Sequence, residues 1–298
     1  MSQDHLSDLR FDSLPIHESI LAGIRDAGFE FCTPIQADTL PIALQGHDVA
    51  GQAQTGTGKT AAFLIAAYQR LLTKERDPEQ KRQPRVFVLA PTRELAVQIA
   101  NDAEDLGKHT GLKIALAYGG TDYEKQRKTL EGGVDLLIGT PGRIIDYFKQ
   151  GVFKLDQVEV AILDEADRMF DLGFIKDIRY LLRRLPDPDK RLNMLFSATL
   201  SQRVMELAYE HMNEPELIRI EPDKVTADRV RQAIFFPSNE DKMPLLIGLV
   251  REMGEGRIMI FVNMKREAER VQDYLEANGI NAAAISGDVP QKKRLRML

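Results

Sequence analysis

One lysine, two glycines and several hydroxyls are crowded into Ala53-Gln54-Thr55-Gly56-Thr57-Gly58-Lys59-Thr60. Small residues let the backbone curl tightly, so that its N–H groups and the positive end of a following helix converge on an anion. In such a loop Lys59 puts a point charge on β/γ-phosphates, and the Thr60 hydroxyl is placed to meet Mg²⁺. This is the pattern of a phosphate-binding P-loop, with Ala53 where the general pattern has its first glycine. The plain alternative is a Gly/Thr-rich turn.

A second group of residues fits the same chemistry. The apolar run from Val158 to Leu163 leads directly into Asp164-Glu165-Ala166-Asp167. Carboxylates at the end of a buried strand, on the same edge as a P-loop, can hold Mg²⁺ and orient a water. Acids are also favoured at a helix N-terminus for its dipole alone, but the order of loop and acids supports the functional reading. Thr92, Arg93, Gly120, Thr140 and Arg143 also follow apolar runs. Singly they read as turn chemistry; as a set they could grip a nucleic-acid backbone through N–H groups and two guanidinium forks. Ser197 and Thr199 are either a helix cap or a relay from the nucleotide. Phe29 offers a stacking face and Gln36 a donor pair beside an acceptor, as reading an adenine edge requires. On residue type alone, a core Phe and a capping Gln fit those two positions better.

The elements that must position these groups alternate. Apolar strands are expected at 48–51, 86–90, 114–117, 134–138, 158–163, 191–196 and 216–220. Helices are expected at 16–27, 34–44, 61–74, 95–106 and 201–211. Continuous apolar strands separated by helices signify an α/β doubly wound parallel sheet, whose ligand crevice lies beyond the strands' carboxyl ends. Glu75 to Arg85, with Pro78 and Pro84, reads as a surface loop. A boundary is expected near Glu221-Pro222-Asp223-Lys224, giving a first domain over 1–220, a linker over 221–229 and a partial second domain over 230–298. In the latter, strands are expected at 232–236, 258–262 and 282–285, with helices at 242–253 and 265–278.

Composition narrows the setting. The chain has 298 residues, 43% hydrophobic and 29% charged, as in an ordinary globular protein. A single cysteine, Cys32, excludes an internal disulfide, and five scattered histidines do not suggest a zinc site. A net charge of −5 argues against a broad basic surface, so contact with nucleic acid must be local. The start lacks the regions of a signal peptide and the longest apolar run, 61–67, is too short to span a bilayer, so a cytoplasmic protein without membrane contact is expected.

With the P-loop and Asp164-Glu165-Ala166-Asp167 in place, the sequence resembles the DEAD-box ATP-dependent RNA helicases of superfamily 2. Gly28 to Gln36 matches the family's Q motif, with Phe11 as its isolated upstream aromatic. Pro91-Thr92-Arg93-Glu94-Leu95-Ala96, Gly119-Gly120 and Thr140-Pro141-Gly142-Arg143 match motif Ia, the glycine pair and motif Ib. Ser197-Ala198-Thr199 matches motif III. Within the family, Cys32-Thr33-Pro34-Ile35-Gln36 and 171–177 look most like the bacterial RhlB group. Cys32 stands where most of the family has proline.

The resemblance implies RecA-like domains, ATP and Mg²⁺ as ligands, and RNA as partner. It implies that Phe11, Phe29, Gln36 and the loop from Ala53 through Gln54, Thr55, Gly56, Thr57 and Gly58 to Lys59 and Thr60 bind nucleotide. Lys59, Asp164 and Glu165 would be catalytic, with Thr60 and Asp164 at the metal, the latter through water. Thr92, Arg93, Gly120, Thr140 and Arg143 would bind RNA, and Asp167, Ser197 and Thr199 would couple the two ligands. A place in RNA degradation, beside an assembly built on an endoribonuclease, is also implied. Motifs V and VI, which carry the family's arginine finger, are not reached by Leu298. That leads to an expectation of slow turnover, and to a competing reading as a nucleotide-gated binding module.

Overall fold

The computed structural model describes residues 6–74, 76, 83–120, 122–220, 233–254 and 256–297. The chain divides into two compact units, 1–223 and 224–298. The expected linker lies outside the described residues, as does most of the loop after residue 74.

Seven strands form one sheet in the first unit: β1 (Val49–Gln52), β2 (Val86–Leu89), β3 (Ile114–Ala117), β4 (Leu136–Gly139), β5 (Val160–Leu163), β6 (Leu192–Ser197) and β7 (Glu216–Arg219). Their order is β3-β4-β2-β5-β6-β1-β7, and every pairing is parallel. The helices are α1 (Glu18–Asp26), α2 (Pro34–Ala43), α3 (Lys59–Thr73), α4 (Arg93–Leu106), α5 (Tyr123–Glu131), α6 (Pro141–Lys149), α7 (Ala166–Asp171), α8 (Ile175–Leu182) and α9 (Gln202–His211). The strands expected in the first unit all form, with ends within two residues of those expected. The helices α5 and α6 follow the strand-end turns after 117 and 138, which read as helix starts, while α7 and α8 go beyond the elements expected from spacing.

Burial on both faces explains why the strands read as continuous apolar runs. Val86, Val88, Ile138, Val160, Ile162 and Phe196 pack with α1 to α4. The alternate positions Phe87, Leu89, Leu137, Ala161, Leu163 and Leu195 pack with α5 to α9. Helices following β1 and β2 thus cover one face, and those following β3 to β6 cover the other. Where neighbouring strands send their chains to opposite faces, a crevice opens beyond their carboxyl ends. That condition holds between β1 and β6, between β2 and β5, and between β2 and β4. The register aligns Gln52 with Ser197 and Leu89 with both Leu163 and Gly139, so these ends share one edge.

In the second unit, α10 (Lys242–Met253), α11 (Lys265–Ala277) and α12 (Gln291–Met297) form, and the described residues contain no strand. The expected strands at 258–262 and 282–285 are therefore corrected, and so is the described part of 232–236. A parallel strand exists only when neighbours take up its N–H and C=O groups, and no ladder joins these segments. Phe236, Phe261 and Met259 are exposed; among the unit's described hydrophobic residues only Leu275 is buried. No helix among the described residues is long and apolar enough to cross a membrane.

Asp48, just before β1, fastens the strands that carry the P-loop. Its carboxylate accepts from the Asn193 N–H, the Asn193 side-chain amide and the Asn213 N–H, each at 2.7 Å, while only 3% exposed. Replacing it takes the acceptor from two buried donors on Asn193, whose amide keeps the Pro188 carbonyl, and from the part-buried Asn213 N–H. Asp48→Ala is expected to destabilise the first unit by roughly 2–5 kcal/mol in urea unfolding, and a loss below about 1 kcal/mol would contradict this role.

Candidate functional site

The P-loop is built as its composition dictates. Gly56 and Gly58 sit at φ 84° and 92°, in the left-handed region that side chains disfavour, and Gly58 leads straight into α3. Lys59 is only 7% exposed and folds back over its own loop, its Nζ donating to the carbonyls of Ala53 and Gln54 at 2.7 Å each. Burial lowers its pKa, against the pull of Asp164, Glu165 and Asp167. Thr57 donates to the Gln54 carbonyl at 2.8 Å, and Ala53 is buried.

Gln36 reaches this loop from α2. Its Oε1 accepts from the Thr33 N–H at 2.8 Å, and its Nε2 donates to the Gly58 carbonyl at 3.0 Å. Both ends of the amide are engaged, so Gln36 is at once the capping residue that its type suggested and a tie between α2 and the P-loop. A Cβ on Gly58 would lie 2.5 Å from that Nε2, so a side chain there would push the Gln36 amide off the loop in addition to straining φ. Phe29 is 41% exposed and presents an open ring. Phe11, which the resemblance places at the nucleotide, is buried in the core at 3% exposure.

The acids follow β5. Asp164 is 2% exposed, and burial pushes its carboxyl up to about 6, with Lys59 holding it lower than burial alone would. Glu165 has φ 51° and ψ 52°, a conformation uncommon outside glycine that clusters at functional turns. Its carboxylate accepts from Arg168 Nη1 at 3.0 Å and from Thr55 Oγ1 at 3.4 Å, the latter joining the acids to the P-loop. Asp167 faces β6. Its Oδ2 accepts from the Thr199 N–H at 3.0 Å and the Thr199 hydroxyl at 3.1 Å, while its own N–H donates to Ser197 Oγ at 3.2 Å. Of the two sequence readings of Ser197 and Thr199, the geometry supports linkage to the acids; Ser201 occupies the cap of α9.

The other half of the edge, over β3, β4 and β2, gathers the remaining residues. Thr92 caps α4, its Oγ1 accepting from the Leu95 N–H at 3.3 Å. Arg93 lies against the glycine pair: a Cβ on Gly120, at φ 85°, would stand 2.5 Å from its Nη1. Thr140 precedes α6, its N–H donating to the Ala117 carbonyl at 3.0 Å. Arg143 sits over the Tyr123 ring at 4.9 Å and donates to Tyr147 Oη at 3.2 Å.

Three contributors are absent from the sequence reading. Arg168 lies three residues after Glu165 and Tyr147 four after Arg143, the spacings at which helix side chains meet, so both were accessible to pattern. Tyr123 comes from another helix and had no such signal. As to a metal, the described residues contain no cluster of three or more His, Cys, Asp or Glu. Thr60 and Asp164 supply a hydroxyl and one carboxylate. This sparse set suits Mg²⁺, which keeps several waters and shares its coordination with substrate phosphates.

Residues 33–207 match the model of the DEAD/DEAH box helicase family, and residues 241–298 match that of the helicase conserved C-terminal domain. The ATP-dependent RNA helicase RhlB of Pasteurella multocida is 58% identical over 298 residues, covering all of this chain and 70% of the relative. That of Actinobacillus succinogenes is 59% identical, covering all of this chain and 72% of its own length. The crystal structure of a DEAD box protein from Methanococcus jannaschii aligns with a TM-score of 0.64 at 33% identity, covering 97% of this chain and 76% of the other. The sheet is thus of the RecA-like kind found in that family.

A carboxyl raised above its ordinary 3.8 to about 6 makes ionised Asp164 a cost to folding. The cost is absent when both states are protonated, grows as pH rises from about 4 to 6, and is complete above that. In solution free of metal and nucleotide, Asp164→Asn should stabilise the first unit by roughly 1–3 kcal/mol at neutral pH. The gain should vanish toward pH 4 in thermal melts. A gain that does not vary with pH would contradict the assignment of its cause.

Proposed function

This chain belongs to the DEAD/DEAH box helicase family, and from that premise we propose that it is an ATP-dependent RNA helicase that binds single-stranded RNA and parts short duplexes. The observation that carries the reading is one continuous set of contacts along the sheet edge. Lys59 holds the P-loop, Thr55 joins that loop to Glu165, and Asp167 joins the same turn to Ser197 and Thr199. Beside them stand Arg93 and Arg143, with the helix starts of α4 and α6.

The roles follow from these positions. Backbone N–H groups of 53–58 and the Lys59 ammonium bind the phosphates, Lys59 exchanging the Ala53 and Gln54 carbonyls for phosphate oxygens. Phe29 stacks on adenine, and Gln36 reads its edge by exchanging one of its two backbone bonds. Thr60, and Asp164 through water, would hold Mg²⁺. That ion, when bound, neutralises phosphate charge and draws electrons from the γ-phosphorus. Glu165, its carboxylate aimed by Arg168 and Thr55, positions the attacking water. Thr92, Arg93, Gly120, Thr140 and Arg143 meet the RNA backbone through guanidinium forks, hydroxyls and N–H groups. Asp167, Ser197 and Thr199 pass the state of one site to the other.

The reading takes 1–220 as an ATP-binding RecA-like domain, 221–229 as linker and 230–298 as part of a C-terminal RecA-like domain. The division of contacts and the two family matches support it. We assign the protein to the cytoplasm and to RNA degradation, beside an endoribonuclease-based assembly; the resemblance to the RhlB group supports that setting. Steady-state ATP hydrolysis with and without single-stranded RNA tests the function. Stimulation by RNA supports it, and nucleotide binding without turnover would favour a binding module instead.

Two substitutions test the nucleotide site. Lys59→Ala removes the cation in contact with the loop, and fluorescent-ADP titration should show binding lost by about tenfold or more. Unchanged affinity would sink the assignment. Gln36→Ala should erode the preference for ATP over GTP while phosphate grip survives, whereas equal loss for both would leave Gln36 purely structural.

A further inference from the structure

Arg143 occupies the first turn of α6, where the helix dipole opposes a cation. Among the described residues no carboxylate pairs with it. Instead its guanidinium lies 4.9 Å from the centroid of Tyr123 and 5.5 Å from that of Tyr147, and its Nη1 donates to Tyr147 Oη at 3.2 Å. That hydroxyl donates in turn to the Tyr123 carbonyl at 2.8 Å, so both of its hydrogen-bonding roles are filled. The two rings pack at 4.7 Å, and Tyr147 is fully buried. Gln150 donates to the Tyr123 hydroxyl, fixing the outer ring as well.

This environment restrains the arginine without neutralising it. A carboxylate partner would consume the charge; two π-faces and a phenol orient the fork and leave its charge for an anion. An exposed arginine otherwise loses much rotamer freedom on gripping a phosphate, and a stacked one has already lost part of it. Space beside Gly142 is open, with nothing within 4 Å of a Cβ built there. The same pair of rings joins the start of α5, just past the Gly119-Gly120 turn, to α6. Two strand-end loops expected to touch RNA are thereby held as one piece.

We propose that Tyr123 and Tyr147 are positioning residues for RNA binding, forming an aromatic platform that pre-orients Arg143 toward a backbone phosphate. The inference rests on the RNA contact of Arg143 in the function proposed above. The test is fluorescence anisotropy of a labelled oligouridylate with the 298-residue chain and a non-hydrolysable ATP analogue at low salt. The variants are Arg93→Ala, Arg143→Ala, Tyr123→Leu, Tyr123→Phe, Tyr147→Phe and the double change Tyr123→Leu with Arg143→Ala. Loss of the stacking face in Tyr123→Leu should weaken RNA binding by about two- to fivefold, with fluorescent-ADP affinity and melting temperature held. Tyr123→Phe keeps the face and should restore binding. Tyr147→Phe keeps the ring but loses both hydrogen bonds, and should raise the RNA concentration for half-maximal ATPase without lowering its maximum. In the Arg143→Ala background, Tyr123→Leu should add nothing.

An unchanged affinity in Tyr123→Leu, or the same loss with Arg143 already removed, overturns the platform. The RNA reading itself is judged separately. If Arg143→Ala binds normally while Arg93→Ala is weakened, the RNA edge stands and the platform falls. If neither variant is weakened, or the unaltered chain does not bind the oligonucleotide, both fall.

Discussion

Every strand in the first unit is parallel to its neighbours, and this constraint governs where chemistry can occur. Parallel strands must be joined by crossovers, and crossovers bury both faces of the sheet. Here α1 to α4 take one face and α5 to α9 the other. What remains for function is the edge where the strands end together. The order β3-β4-β2-β5-β6-β1-β7 then sorts that edge into two halves. The P-loop and the acids follow β1 and β5 and Ser197 ends β6, while the arginines and the glycine pair follow β2, β3 and β4. β6 separates β1 from β5, so Ser197 and Thr199 stand between phosphate loop and acids and can bind Asp167 without any long-range device.

The nucleotide half holds charge in a dry place. Burial opposes the charge on both Lys59 and Asp164, and each lessens the other's difficulty. Sites of this kind cost folding stability, and the loss is offset by the large cores on either side. Lys59 resting on two carbonyls, and Glu165 in a left-handed turn between Thr55 and Arg168, show the same tension. In the function proposed above, this local geometry is what a ligand's charge would meet.

Much of this was legible in the sequence because it depends on local order. A strand that is apolar throughout, followed by glycines or acids and then a helix, specifies its own place on a doubly wound sheet, and every expected strand of the first unit formed. Three classes of feature were not legible. Contacts between helices distant in sequence, such as Tyr123 with Arg143, leave no periodic trace. The burial of Phe11 depends on its tertiary neighbours and is not written in its residue type. Strands such as 258–262 have the right composition but need pairing partners that composition cannot guarantee. Gln36 shows a fourth case, in which a capping role and a tie to the P-loop coincide in one side chain.

The central claim is that one sheet edge joins nucleotide and RNA into a single linked system through Asp167, Ser197 and Thr199. Linkage is reciprocal, so it can be measured from either side. The most direct measurement is the affinity of a non-hydrolysable ATP analogue at increasing oligoribonucleotide, paired with RNA affinity at increasing analogue. The account predicts that each ligand tightens the other by the same factor, about fivefold or more, and that Thr199→Ala reduces this factor while leaving the nucleotide's affinity in the absence of RNA intact. Affinities that are independent of each other in the unaltered chain would contradict it.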